Sequence, residues 1–218
     1  MKIISTIDED HHMHSLNFSD GFNTIDEIAI FAKKFGLKKI TITDHSQALI
    51  DENNLARKDH RSTIKRWKNV HNNVIVNFGV EADLLDEKGN ICDHIQNIPG
   101  DFISLSLHDY VYRGNKKLIT QSYIKAIEKH HKRIKFICHL DSTQLAEFID
   151  MEKIIKVANK FKIPLEFNCA NHVNGKTNKK HQKILLEKAD QIIVNSDAHT
   201  LNELRDVRKI GYEFLQNL

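Results

Sequence analysis

His12-x-His14 sets two imidazoles on alternate residues, so on a strand both rings project from one face and can grip a single cation. Two surface histidines on an edge strand would be spelled the same way. Asp10 just upstream could orient one of the rings through its second nitrogen. The association of acid and imidazole recurs at Thr43-Asp44-His45 and at Ser196-Asp197-Ala198-His199, each of which a capped turn would also explain. Glu81, His108 and His139 close three further short apolar runs, and Asn168 closes a fourth. The steps 14→45→81→108→139→168→197 are 31, 36, 27, 31, 29 and 29 residues, each about one strand-plus-helix unit. Turn-making alone would not explain why nearly every run stops at a ligand.

With Asp20 included, the candidate metal ligands are His12, His14, Asp20, His45, Glu81, His108, His139, Asp197 and His199. One zinc ion takes about four ligands, so this set suits two or three divalent ions that share carboxylates. Imidazole and carboxylate without thiolate fit Zn, Mn or Fe alike. Clustered divalent ions acidify a bound water into a hydroxide nucleophile and clamp the oxygens of an in-line displacement. Hydrolysis of a phosphate ester uses both properties most fully.

The elements that must position these residues alternate as strand and helix. Candidate strands lie near 10–14, 39–44, 74–80, 102–107, 134–138, 164–168 and 192–196, and helical spacing fills 24–35, 56–71, 119–131, 150–161, 179–189 and 201–217. Thr24 and Glu27 spell a capping box, and Gly36 stops that helix. Alternation of this kind predicts an α/β fold with a parallel sheet wrapped by helices. Strand parity puts Ser104, Ser106 and His108 on one face, and likewise Asn195, Asp197 and His199. A closed sheet converges such faces on one axis, so the expectation is a small, distorted (βα)7 TIM-like barrel with its ligands at one mouth.

Size and charge fit this picture. The 218 residues are 40% hydrophobic, enough for one domain spanning 1–218. A formal charge of +3 predicts neither nucleic-acid nor membrane binding. The amino terminus turns acidic too soon for a signal peptide, and no stretch approaches the roughly 18 apolar residues of a membrane span. Cys92, Cys138 and Cys169 lack CxxC spacing, so neither a disulfide framework nor a thiolate zinc site is indicated. Cys138 and Cys169 adjoin presumed site residues and read as small buried strand-end residues. A cytoplasmic protein is expected. Of the 14 histidines, His60, His71, His94, His130, His131 and His181 sit in polar segments and are assigned no chemistry.

Asp10-His11-His12-Met13-His14, Thr43-Asp44-His45, Glu81, His108, His139 and Ser196-Asp197-Ala198-His199 resemble, in order and spacing, the motifs of the polymerase-and-histidinol-phosphatase (PHP) family of metal-dependent phosphoesterases. The resemblance covers essentially the whole chain and implies a distorted (βα)7 barrel with a trinuclear site. It implies that His12, His14, Glu81 and Asp197, also the candidate catalytic residues, hold one ion. Glu81 would bridge to a second ion on His108 and His139, and a third would sit on His45 and His199. Many members carry another histidine near the third ion where this chain has Asp20.

Three residues are candidate substrate contacts. The Asn168 amide could hold substrate or a ligand, or cap a turn. Arg113 could clamp phosphate or lie solvated on the surface. His172 lies in Cys169–Lys180, which together with Ser46–Arg61 reads as a long polar loop on the ligand side. The expected activity is phosphomonoester hydrolysis of a small phosphorylated metabolite: histidinol phosphate, a nucleotide or a sugar phosphate. An amidohydrolase also begins with His-x-His, but it would usually want eight strands and a bridging lysine in place of Glu81. A non-catalytic metal-binding module, or one accompanying a DNA polymerase, is the other alternative; the small net charge and the near-complete ligand set point away from it.

Overall fold

Strands form where β-branched residues cluster, as in Lys39–Ile42 and Gln191–Asn195, and each is followed by an amphipathic segment that folds back as a helix. The computed structural model describes residues 1–55, 64 and 74–218; the helix expected at 56–71 lies outside the described residues apart from Ile64. Twelve strands are described: β1 (Lys2–Ile3), β2 (Glu9–Asp10), β3 (Lys39–Ile42), β4 (Ile75–Phe78), β5 (Val80–Leu84), β6 (Ile91–Cys92), β7 (His94–Ile95), β8 (Ile98–Pro99), β9 (Ile103–Ser106), β10 (Ile134–Ile137), β11 (Leu165–Asn168) and β12 (Gln191–Asn195).

A parallel sheet ordered β12-β11-β10-β9-β5, flanked by β1 and β6, faces a second parallel sheet ordered β2-β3-β4. Two junctions join them into a ring. On one side β4 and β5 are a single run broken at Gly79, β4 pairing with β3 and β5 with β9. A Cβ at Gly79 would stand 2.9 Å from Thr43 Cγ2 and 3.1 Å from the Phe102 ring, so the crossing needs a residue without one. On the other side Met13 bridges Ala198 in parallel, with His14 N–H donating to the Ala198 carbonyl at 2.9 Å. The result is the expected distorted barrel, built from seven runs: β2, β3, β4–β5, β9, β10, β11 and β12. Both junctions lie at ligand residues, so the distortion and the site share one end.

Several local expectations change. Glu81 does not end a strand but lies inside β5, because the chain runs on to Leu84 to pair antiparallel with β6. The first run is strand only at Glu9–Asp10. The stretch Cys169–Lys180 is not a long loop: Cys169–Val173 is helical, capped by Asn168 accepting from Asn171 N–H, and a second helix starts at Lys179 behind the Asn178 cap. Similarly, Gln47–Glu52 is helical within the expected loop 46–61. The Thr24–Glu27 capping box is present as read, and helices Ile119–His130, Met151–Lys160 and Lys179–Lys188 match their predicted spans within a residue. The C-terminal segment is a π-turn at Glu203–Val207 followed by helix Arg208–Gln216.

The main core lies between sheet and helices, around Leu165, Ile154 and Leu185. A separate small cluster of Phe136, Cys138 and Ile193, with Ile4 and Phe102 against it, forms another apolar layer. One buried ion pair ties the last helix to the first ligand strand. Arg208 Nε lies 3.2 Å from Asp10 Oδ2, and the guanidinium donates to the carbonyls of Thr6, Ile7 and Glu9. Asp10 in turn accepts from the backbone N–H of His12 at 3.1 Å and of Ser196 at 3.0 Å. Burial pushes the Asp10 carboxyl up to about 6 against the opposing pull of Arg208. Arg208→Met leaves that carboxylate buried without its cation. The metal-free variant is expected to lose about 3 kcal/mol of stability in denaturant titration; a midpoint matching the parent's would show the pair to be idle.

Candidate metal centre

The segment that follows β2 brings His12 and His14 side by side, with their Nε2 atoms 3.3 Å apart. Asp197 Oδ1 lies 3.4 Å from His12 Nε2 and 3.2 Å from His14 Nε2, and Glu81 approaches both at 3.7 Å. Glu81 is the hub. Its Oε1 is 2.8 Å from His139 Nε2 and 3.9 Å from His108 Nε2, while its Oε2 is 2.7 Å from His45 Nδ1. Asp20 Oδ1 lies 3.4 Å from both His45 Nε2 and His199 Nε2. All nine predicted ligands therefore meet at one mouth.

Donor atoms of eight of them fall into overlapping groups: His12, His14 and Asp197; His12 and Glu81 with Cys138; His45, Glu81 and His108; and His14, Asp20, His45 and His199; His139 meets the cluster through Glu81. Within each group the atoms lie within 4.8 Å of one another. The arrangement departs from the expected assignment: His45 rather than His139 groups with Glu81 and His108, Glu81 falls outside the His12–His14–Asp197 group, and His14 joins the Asp20 group as well. The Asp20 carboxylate completes that group, its Oδ1 3.4 Å from both His45 and His199.

Left-handed backbone delivers two of the ligands. His139 (φ 27°) and Asp197 (φ 55°) follow the ends of β10 and β12, where continued extension would carry their side chains away. Non-glycine residues in this region are strained, and such strain concentrates at functional sites.

The donor set fits divalent cations. His14 Nδ1 is buried from solvent without a hydrogen-bond partner, and His45 Nδ1 and Glu81 Oε2, 2.7 Å apart, are buried without an aligned hydrogen bond. The rings of His14 and His45, and of His14 and His199, stand 4.3 Å apart, too close for several imidazolium charges. Burial, then His199 and His45, push His14 down to about 3, leaving the neutral imidazole that a metal ligand must be. For Glu81, burial alone would raise the carboxyl, but His45, His108 and His12 outweigh it and hold the group well below its usual range. Asp197 is likewise held low, burial being outweighed by His12 and His14.

The partners on the far nitrogens are not those expected. Asp10 does not touch the His12 ring, being engaged with backbone N–H groups and Arg208. The ring's Nδ1 instead lies 2.8 Å from Glu166 Oε1, and His108 Nδ1 lies 2.6 Å from Asp83 Oδ1. Each carboxylate fixes the tautomer that leaves Nε2 free for a cation. Neither acid was singled out from the sequence. Asp83 follows Glu81 by two and Glu166 precedes Asn168 by two, so strand parity places each beside a candidate.

Asn168 serves the ligands and the turn together: its Nδ2 donates to Glu166 at 3.0 Å and Asp197 at 2.9 Å, and its Oδ1 caps the following helix. Arg113 stands exposed on the rim, paired with Glu52 and donating to the Tyr110 carbonyl at 2.6 Å. His172 joins none of the ligand groups; Gln182 bonds its Nδ1 at 3.0 Å and its ring packs 4.3 Å from Phe214.

The PHP domain model matches residues 10–195, most of the chain, a range that takes in His12 through His139 and stops short of Asp197 and His199. This chain belongs to the PHP domain family. Among family relatives, Probable phosphatase PMI1003 of Proteus mirabilis is 24% identical over 92% of this chain and 82% of that protein. The DNA polymerase/3'-5' exonuclease PolX of Bacillus subtilis is 27% identical over 94% of this chain, but the match spans only 36% of PolX. Two solved PHP-like structures share the fold. One, from Listeria monocytogenes and described as a candidate histidinol phosphatase, has a TM-score of 0.58 at 16% identity, covering 91% of this chain and 97% of the other. The histidinol phosphate phosphatase of Lactococcus lactis, solved with zinc, L-histidinol and phosphate, has a TM-score of 0.51 at 17% identity, covering 95% and 94%.

Proposed function

We propose that this chain is a phosphomonoesterase that releases phosphate from a small phosphorylated metabolite, using two or three divalent ions of Zn, Mn or Fe. The observation that supports this best is the sharing of His14, His45 and Glu81 between adjacent donor groups, which suits ions lying side by side. Such ions supply Lewis acidity, lowering the pKa of water and neutralising charge on a phosphoryl group. The chain's own residues do the rest. Asp197 and Glu81 stay ionised beside imidazoles, so the mouth keeps its anionic ligands at neutral pH. His12 and His108 are held in register by Glu166 and Asp83. Asn168 holds Asp197 and lies buried, whereas Arg113 on the rim has the exposure that a phosphate contact needs once it leaves Glu52.

The Lactococcus lactis neighbour, with histidinol and phosphate bound, makes histidinol phosphate the first ester to try; sugar and nucleotide monophosphates follow. We take residues 1–218 as one catalytic unit and place it in the cytoplasm. In keeping with that, the three cysteines are unbridged and no helix among the described residues is long and apolar enough to cross a membrane.

Chelation tests the reading. Treatment with a strong chelator is expected to abolish release of phosphate from an aryl phosphate, and Mn²⁺, Zn²⁺ or Fe²⁺ added back to restore it. Turnover of an amide panel with inert phosphate monoesters would favour an amidohydrolase. Tight uptake of metal with no ester turned over would favour a binding module.

A further inference from the structure

Of the three cysteines, Cys138 alone lies among metal-ligating atoms. Its Sγ, a nitrogen of His12 and an oxygen of Glu81 lie within 4.8 Å of one another, all three residues buried. The strand explains the placement. Phe136 and Cys138 share one face of β10 and its extension, and Phe136 brings its ring to 6.0 Å from His12. Cys169 is different: its sulfur faces the last helix, 4.0 Å from the Arg208 carbonyl, where a Cβ on Gly211 would stand 2.3 Å away. That is a packed core thiol. Cys92 lies near His94, its Sγ 4.0 Å from Nδ1.

A second feature of the same group points to a ligand. Glu81 Oε2 is fully buried and, although His45 Nδ1 stands 2.7 Å from it, makes no aligned hydrogen bond, while Glu81 Oε1 and Asp197 Oδ1 face His12 Nε2 at 3.7 and 3.4 Å. A cation held by His12 and Glu81 would therefore lie within reach of sulfur, which no ordinary core position offers.

We propose that Cys138 is a thiolate ligand at the His12–Glu81 side of the metal centre, biasing it toward zinc or ferrous iron and away from manganese. The inference rests on the metal-centre reading above and adds to it. Coordination forms one sulfur–metal bond and releases the thiol proton to solvent, with no change of oxidation state. Thiolate is a soft donor, and a site of imidazole, carboxylate and thiolate favours zinc and ferrous iron over the harder manganese. The sequence reading excluded thiolate on the absence of CxxC spacing, but here a single sulfur joins ligands from other strands.

Cobalt substitution tests this without reference to turnover. The metal-free full-length protein is loaded with Co²⁺, bound cobalt is measured by elemental analysis, and the absorption spectrum is recorded for the parent, Cys138→Ser and Cys138→Ala. The expected result is a sulfur-to-cobalt charge-transfer band in the near ultraviolet of the parent. That band should vanish in both variants, while the visible bands of bound cobalt remain. Cobalt bound by the parent without the band, or a band that persists in the variants, overturns the thiolate ligand and leaves the metal centre standing. Failure of the parent to take up cobalt or any other divalent ion overturns both readings together.

Discussion

Glu81→Ala is expected to lower kcat for a phosphate monoester by about 10³-fold or more and to remove at least one equivalent of bound metal. Among the described residues, no other side chain at the mouth touches as many candidate ligands. Its two oxygens approach His12, His14, His45, His108 and His139, so one truncation disconnects the groups on either side. The fold should survive, because the main core around Leu165, Ile154 and Leu185 packs outside the ring and owes nothing to the mouth. Far-ultraviolet circular dichroism and a denaturant melt check that part; elemental analysis and phosphate release check the rest. The metal-free variant carries its own signature. Burial pulls His45 and His139 down while Glu81 lifts both, so without Glu81 their titrations should move to lower pH by NMR. Near-parental turnover with a full complement of metal would remove Glu81 from the ligand set.

The convergence of the candidate ligands was legible in the sequence for a physical reason. In a parallel barrel every strand ends at the same mouth, so a polar residue after each apolar run is already a statement about convergence. His12, His45, His108, His139 and Asp197 follow that rule. Glu81 was found by residue type, although it lies inside β5; the chain continues past it to pair with β6. What spacing alone could not give was the partner of each partner. Asp10 precedes the His12-x-His14 pair in sequence and so looked like an acid that could orient one of the rings, but its carboxylate is engaged by backbone N–H groups. The acid that does reach the ring is 154 residues away. Contacts of that kind depend on strand order and register, which a ligand count does not contain. The break at Gly79 is similar: the run 74–80 looked like one strand because its apolar pattern is continuous, and only the crossing between two sheets divides it. Cys138 reads as a small buried strand-end residue, and buried it is; its closeness to His12 and Glu81 depends on strand order, which thiolate spacing within one motif does not contain.

Glu166 carries the second large effect, through stability and metal affinity together. It is fully buried in β11 and accepts four hydrogen bonds, two on each oxygen. His12 Nδ1 and Asn195 Nδ2 reach Oε1, both at 2.8 Å; the His139 backbone N–H at 2.9 Å and Asn168 Nδ2 at 3.0 Å reach Oε2. Glu166→Gln keeps the shape but turns an amide NH2 toward two donors. Leaving those donors unpaired should cost about 3 kcal/mol in a denaturant melt of the metal-free protein. Glu166→Ala orphans all four and should cost more. Neither variant removes a ligand, so the effect on the centre is one of orientation: in Glu166→Ala His12 loses the partner that fixes its tautomer and His139 loses the hydrogen bond that pins its left-handed backbone, and in Glu166→Gln the side that meets the amide NH2 is lost. Metal affinity should fall roughly 10–100-fold. Glu166→Gln assayed at saturating metal should then recover most of its kcat, which no ligand variant can do. If affinity for metal stayed at the parental value while stability fell, Glu166 would be a core acid that happens to lie beside the site.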